Sequence, residues 1–277
     1  MTVKILLVDD HQLFREGIRG LFAEQDDLQV VAEAIDGGSS IKLATLHAPD
    51  VVIMDISMTG MNGIEATGRL LAACPNTQVL ALSMHLELRL ILEMLTSGAS
   101  GYLLKDCAFE EVVHAVRSLA TRCPFLSSKV EAIILKDFVQ LSNAGALPIF
   151  GDPDTKESNI LELLARGENV NEVAAALHLS VVEAECRCRR VIVEHIVPML
   201  HQIHTKGKKT VVAASLTVRE QDILTWVKEG KSTWEIASIL GISLDTVKYH
   251  FRNIFLKLNV INRSQAVAVA IENKLIG

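Results

Sequence analysis

Asp9, Asp10, Asp55, Ser83 and Lys105 are the residues of this 277-residue chain whose types and spacing can do chemistry. Three carboxylates drawn together repel one another, and each is costly to desolvate unless a positive charge lies between them. A hard divalent cation with oxygen ligands relieves that repulsion, and Mg2+ is the expected one beside phosphates. One carboxylate can then act as a nucleophile toward a phosphoryl group, giving an aspartyl phosphate. The cation and a lysine neutralise the oxygens of the transferred group. We expect Asp55 as phosphoacceptor, Asp9 and Asp10 as metal carboxylates, Lys105 as the counter-ion of the phosphate and Ser83 as a hydroxyl donor to it.

These side chains meet only if the segments between them fold in one way. Each follows a short apolar run: Ile5 to Val8 before Asp9, Val51 to Met54 before Asp55, Val79 to Leu82 before Ser83, and Gly101 to Leu104 before Lys105. Such runs alternating with helix-like segments predict a parallel sheet with crossover helices. Ligand sites in such sheets gather beyond the carboxyl ends of the strands. An acid at a strand end is ordinarily a helix N-cap or turn former. That reading covers any one of these residues, but not five of the right type at the ends of four strands.

Residues 1–122 resemble the receiver domain of bacterial two-component response regulators, through "ILLVDDHQLFREGI", "PDVVIMDISMTGMNGIEA", "VLALSMH" and "GASGYLLKD". The resemblance implies a five-stranded parallel, doubly wound, flavodoxin-like α/β sheet. It also implies phosphorylation of Asp55 by a histidine kinase and Mg2+ held by Asp9, Asp10, Asp55 and the backbone carbonyl of Ser57. Ser83 and Lys105 become switch positions, and Tyr102 the aromatic that moves inward on phosphorylation. Thr59 departs from the pattern by standing where the family usually has proline.

Composition limits the rest. No stretch approaches the roughly 18 apolar residues of a membrane helix, and Met1-Thr2-Val3-Lys4 runs straight into a strand without signal-peptide architecture. A cytoplasmic protein with no membrane partner is expected. Five scattered cysteines, Cys74, Cys107, Cys123, Cys186 and Cys188, suit free thiols in a reducing compartment. Cys186 and Cys188 are two apart in an apparent helix and face different ways, which makes zinc unlikely. The net charge of −6 hides an asymmetry: residues 1–125 carry 9 Lys and Arg against 16 Asp and Glu, residues 126–205 carry 7 against 11, and residues 206–277 carry 11 against 6. A basic end on an acidic protein points to a nucleic-acid partner for that end alone.

The basic end reads as helix-turn-helix. Thr217 and Glu220 form a capping-box pattern, Gly230 is a C-cap, a second helix starts at Ser232, and Gly241 supplies the positive φ of a tight turn before Ser243 caps a third helix. Val247, Phe251, Ile254, Phe255 and Leu258 form the inward face of that helix, opposite Thr246, Lys248, Tyr249, Arg252, Asn253 and Lys257. "LTVREQDILTWVKEGKSTWEIASILGISLDTVKYHFRNIFLKLNVINRSQAVAVAI" resembles the LuxR-type DNA-binding domain. The resemblance implies that Lys248, Tyr249 and Arg252 meet the major groove, with Thr246 on the same face. Thr217, Lys231, Asn253 and Lys257 become phosphate contacts. The last helix, Ser264 to Ile271, becomes a dimerisation helix through Ala266, Val267, Ala270 and Ile271. Receiver and helix-turn-helix together make the NarL/FixJ type of regulator.

Between them lies a faded copy of the C-terminal domain at a constant offset of 63 residues. Asp154 and Glu157 mirror Thr217 and Glu220, Gly167 mirrors Gly230, Glu172-Val173-Ala174 mirrors Glu235-Ile236-Ala237, and Ser180 mirrors Ser243. Glu183, Glu185 and Glu194 replace Thr246, Lys248 and Lys257, Arg189 keeps the charge of Arg252, and His178 replaces Gly241. Carboxylates facing phosphates are repelled, so this copy should keep the fold and lose DNA binding, contacting a protein partner, the receiver or the other subunit instead. The expected organisation is receiver 1–122, linker helix (Lys129 to Leu141) and loop 123–149, degenerate repeat 150–205 and DNA-binding domain 206–277. The expected function is a phosphorylation-controlled, homodimeric transcriptional regulator that performs no enzymatic chemistry except on itself. The alternative is a phosphorylation-independent regulator whose middle domain binds a protein partner.

Overall fold

The computed structural model describes residues 2–145, 156–206, 216–258, 260, 263–272 and 275–276, with the side chains of 156, 206, 245, 252, 256, 264, 265 and 272 outside the described set. The chain folds as two compact units, Met1–Thr205 and Lys206–Gly277.

In the first unit, strands and helices alternate: β1 (Val3–Val8), α1 (Gln12–Phe22), β2 (Leu28–Ala34), α2 (Gly37–His47), β3 (Val51–Asp55), α3 (Gly63–Ala73), β4 (Gln78–Ser83), α4 (Leu88–Thr96), β5 (Gly101–Leu104) and α5 (Phe109–Ala120). The strands pair in parallel in the order β2-β1-β3-β4-β5, and β6 (Phe125–Leu126) adds a sixth beyond β5. The sheet was expected to have five strands. A two-residue strand is too short to display a period, and only the pairing of Gly101 with Phe125 and Tyr102 with Leu126 reveals it. Both faces of the sheet are covered, as a parallel sheet requires. Alternate residues divide between them: Ile5, Leu7 and Ile53 pack with Ile18, Val112 and Val116, while Leu6, Val8 and Met54 pack with Ala44, Leu70 and Ile91.

That second core does not stop at the receiver. α6 (Ser128–Asn143) inserts Val130, Ile134 and Phe138, four residues apart and all fully buried. Next come α7 (Lys156–Ala165), α8 (Val170–Ala176), α9 (Val181–Val191), a π-helical turn (Ile192–Ile196) and α10 (Val197–Lys206). Ile160, Val173, Val191, Ile196 and Leu200 join the same hydrophobic cluster as Met54, Ile91 and Tyr102. The blocks read from the sequence as linker and repeat are therefore packed into one unit with the receiver. The mirrored Asp154 and residues 146–149 of the expected linker loop lie outside the described residues.

The expectation of five free thiols is corrected: Cys123 and Cys186 are joined in a disulfide, with Cα atoms 5.6 Å apart. Their partnership becomes visible only when α9 folds back beside β6. Cys74, Cys107 and Cys188 are free, and Cys188 is buried while Cys186 is half-buried, as their spacing implied.

The second unit comprises α11 (Val218–Lys228), α12 (Thr233–Leu240), α13 (Leu244–Leu258) and α14 (Arg263–Glu272) around Ile223, Leu224, Ile236, Val247, Phe251 and Ile254. Thr217 with Glu220 and Ser232 with Glu235 both form complete capping boxes. Gly241 ends α12 at φ +64°, which a side chain would strain.

Candidate functional site

The apolar runs end at one edge of the sheet and deliver their polar residues to one place. Asp9 and Asp55 are 4% and 3% exposed, and Lys105, also nearly buried, stands between them. Its Nζ is 2.6 Å from Asp9 Oδ2 and 2.9 Å from Asp55 Oδ2, and it lies 4.8 Å from the centre of the Phe14 ring. Asp9 Oδ1 accepts the His11 N–H at 2.8 Å, and Arg15 donates to the Asp9 carbonyl at 2.6 Å. Ser57 N–H donates to Asp55 Oδ1 at 3.3 Å. Burial pushes the Asp55 carboxyl above its ordinary value, and the hydrogen bond and charge of Lys105 recover only part of that cost.

Carboxylate or imidazole atoms of Asp9, Asp10, His11 and Asp55 all come within 4.8 Å of one another. Asp10 Oδ1 is buried and has no hydrogen-bond donor aimed at it, although His11 Nδ1 lies 3.0 Å away. Hard carboxylate oxygens, one of them unsatisfied, fit a hard divalent cation. The acidic cluster is thus able to bind a metal.

Thr59, the departure from the proline pattern, gives something back. Its N–H donates to Asp10 Oδ2 at 3.3 Å, a bond proline cannot make. Gly63 is required by space: a Cβ there would lie 2.1 Å from the Asp55 carbonyl oxygen. Its N–H holds the Ile56 carbonyl at 3.0 Å, closing the loop after Asp55.

His85 is the residue the sequence reading missed. Its N–H donates to Ser83 Oγ at 3.1 Å, its Nε2 is 3.0 Å from Ser57 Oγ, and its carbonyl accepts the Tyr102 hydroxyl at 2.8 Å. It therefore joins Ser83, Ser57 and Tyr102. It stands in the quoted "VLALSMH" stretch, yet nothing local marks it. Tyr102 was expected to move inward, but the structure already holds it fully buried, with burial pushing its hydroxyl up to about 12.

In the second unit, α12, Gly241 and α13 form the helix-turn-helix. Lys248 and Tyr249 are exposed, Tyr249 by 63%, and Thr246 and Asn253 are half-buried. Thr246 Oγ1 is 2.8 Å from Ser243 Oγ. The Arg252 side chain lies outside the described residues. Lys231 sits 3.5 Å from Glu235, and Thr217 is engaged in its capping box. Lys257 turns inward to Glu220, whose carboxylate is 2.7 Å away, rather than outward as a phosphate contact requires. Trp234, not singled out from the sequence, is 67% exposed on α12.

Two of the four residues expected on a dimerisation face are placed elsewhere. Ala266 and Ala270, four apart on α14, are fully buried in the unit's own core, and Val267 packs against it. Of the four, only Ile271 is exposed, by 45%. Small residues at helical spacing let α14 approach α11 and α13 closely, which accounts for them without a partner.

Residues 5–117 match the response regulator receiver domain, and residues 214–270 match the luxR family of bacterial regulatory proteins. The transcriptional regulatory protein DegU of Brevibacillus brevis is 32% identical over 271 residues, covering 98% of this chain and 94% of its own. LiaR of Bacillus subtilis is 27% identical over 274 residues, covering 99% of each. A LuxR-family two-component response regulator from Aurantimonas sp. is 34% identical, with a TM-score of 0.49 over 50% of this chain and 99% of its own.

Proposed function

This chain belongs to the bacterial two-component response regulators that join a receiver to a luxR-type DNA-binding domain, and from that premise we propose that phosphorylation of Asp55 controls its binding to DNA. The observation that carries the reading is Lys105 Nζ, placed within 2.9 Å of Asp55 and 2.6 Å of Asp9 at the carboxyl end of the sheet.

An Asp55 oxygen attacks the phosphorus of a phosphohistidine on a partner kinase; the P–N bond breaks and the imidazole leaves with its electron pair. Lys105 then neutralises an oxygen of the aspartyl phosphate, and the Ser83 hydroxyl donates to another. Asp9, Asp10, Asp55 and the Ser57 carbonyl would hold Mg2+, which when bound supplies charge neutralisation at the phosphoryl oxygens. The receiver acts only on itself.

Phosphorylation adds about −1.5 to −2 charges. Moving a two-state population from 1:99 to 99:1 takes about 5.5 kcal/mol, and one hydrogen bond contributes about 1 kcal/mol. The switch must therefore combine Lys105, Ser83 and pairing of two chains. Tyr102, buried in this structure, holds the His85 carbonyl and through it is tied to Ser83.

The output is a homodimer presenting Lys248, Tyr249 and Arg252 to the major groove, with Thr246 beside them and Thr217, Lys231 and Asn253 near phosphates. A cytoplasmic location follows from this role, and no helix among the described residues is long and apolar enough to cross a membrane. The experiment is footprinting on the gene's upstream region with and without a small phosphodonor, comparing the natural protein with Asp55→Asn. Protection should strengthen on phosphorylation in the first and not in the second. Equal protection in all four lanes would overturn the reading and favour a phosphorylation-independent regulator.

A further inference from the structure

α8 and α9 begin at Val170 and Val181, and α12 and α13 begin at Thr233 and Leu244, each 63 residues later. The turn residue also corresponds: His178 takes φ +54°, close to the +64° of Gly241. In the second unit Tyr249 is 63% exposed on its face of α13. In the first, the corresponding face is occupied. Cys186, at the Tyr249 position, is bonded to Cys123. Arg189, at the Arg252 position, is 2.6 Å from Glu131 and lies over the Phe125 ring at 4.6 Å. Arg190, at the Asn253 position, donates to the Arg122 carbonyl at 3.3 Å. The face of α9 that mirrors the groove-reading face of α13 is thus spent on holding β6 and α6.

One of these contacts is covalent and can be undone. We propose that Cys123 and Cys186 are a reversible oxidation site, taking a small-molecule disulfide as oxidant, and that the bond between them controls release of α9 from the β6 edge of the receiver sheet. The balance is simple: the two thiols give up two electrons and two protons to form Cys123–Cys186, and the small disulfide is reduced to two thiols. Both cysteines are half-buried rather than sealed in the core. Two of the other three thiols are poor competitors. Cys188, two residues away, is buried, and burial pushes its thiol up to about 11; the same cause raises Cys107 to about 11. Thiols held that high are almost entirely protonated near neutrality and attack slowly. With the bond open, Arg189, Arg190 and the shared apolar cluster are left to hold the helix.

The test uses the full chain, equilibrated in glutathione buffers of graded redox ratio, quenched in acid, then unfolded, alkylated and mapped by mass. A single Cys123–Cys186 peptide should appear and disappear reversibly, leaving Cys74, Cys107 and Cys188 alkylated throughout. Amide exchange in β6 and α9 should be roughly tenfold or more faster in the reduced protein, permanently fast in Cys186→Ser, and redox-responsive in Cys188→Ser. The reduced natural protein serves as the comparison if Cys186→Ser fails to fold. The proposal is overturned if no linked peptide forms at any ratio, if excess glutathione cannot open it in the folded protein, or if exchange in α9 is the same in both states.

Discussion

Lys257 Nζ lies 2.7 Å from Glu220 Oε2, joining the third helix of the C-terminal unit to the capping box that starts its first. Glu220 is 2% exposed, and its carboxylate also accepts the Thr217 N–H at 2.7 Å. A buried carboxylate with two donors is a structural anchor, so the lysine that satisfies it is not available to DNA.

Lys257→Met should therefore destabilise the second unit by about 2 kcal/mol, the scale of a hydrogen bond to a charged group. Burial pushes the Glu220 carboxyl up, but Lys257 and Thr217 outweigh it and hold it below the ordinary value. A depressed carboxyl contributes stability that is present above the unfolded value and lost as pH falls through the folded one. The difference in melting temperature between the natural protein and the variant should be full at neutral pH and shrink below about pH 4.3, the ordinary glutamate value. A pH-independent difference would mean that the ion pair is not its source.

The Asp55 carboxyl shifts the other way, with the opposite sign. Burial holds it above the ordinary value despite Lys105. A raised carboxyl favours the folded state at low pH, and that advantage is lost as pH rises through its folded value. Lys105→Met leaves Asp9 and Asp55 buried together without their cation, and the Asp55 value should climb further. We expect a loss of about 3 kcal/mol at neutral pH, fading toward pH 4, with Asp55→Asn in the same background restoring part of it. Melting curves across pH 4 to 8 read this directly. A deficit of Lys105→Met relative to the natural protein that is larger at pH 4 than at pH 7 would contradict it.

Asp9, Asp55, Ser83 and Lys105 were legible because each ends an apolar run, and a parallel sheet sends every such end to one edge. The capping boxes and Gly241 were legible because they are local. What escaped was set by distance or by ambiguity. β6 holds two residues and has no period of its own. Lys257 looks like any exposed cation until Glu220, 37 positions away, is placed beside it. Ala266 and Ala270 read the same whether they face a partner or their own core. Cysteine pairing cannot be read from spacing, and Cys123 meets Cys186 only because α9 returns to the sheet. Thr59 was visible as a missing proline, whereas its bond to Asp10 depends on where the loop places a backbone N–H.

Arg189 tests whether the middle copy has given up nucleic acid. Its guanidinium pairs with Glu131, whose carboxyl is raised by burial even with that partner present. Arg189→Ala should cost the first unit about 3 kcal/mol, the scale for stripping one member from a buried pair, and leave operator affinity within about twofold, since a loss below about 0.4 kcal/mol is near the limit of additivity. Melting temperature and titration of labelled operator separate the two effects. A loss of affinity equal to that of Lys248→Ala, without a loss of stability, would return α9 to the DNA interface.

Lys248 and Lys231 should fail differently. Lys248 is exposed on α13 where the helix faces outward, and a side chain reading a base edge contributes about 1–3 kcal/mol of discrimination. Lys248→Ala should weaken the specific site by about 5- to 150-fold while barely changing binding to random DNA. Lys231 is 3.5 Å from Glu235 near the start of α12, and its proposed contact is to the DNA backbone rather than to bases. Lys231→Ala should weaken specific and random DNA alike and lower the slope of log affinity against log salt by about 1. Titrations on both DNAs at several salt concentrations measure both quantities. If the two variants change slope and discrimination in the same proportion, the division between reading and positioning residues on this surface is wrong.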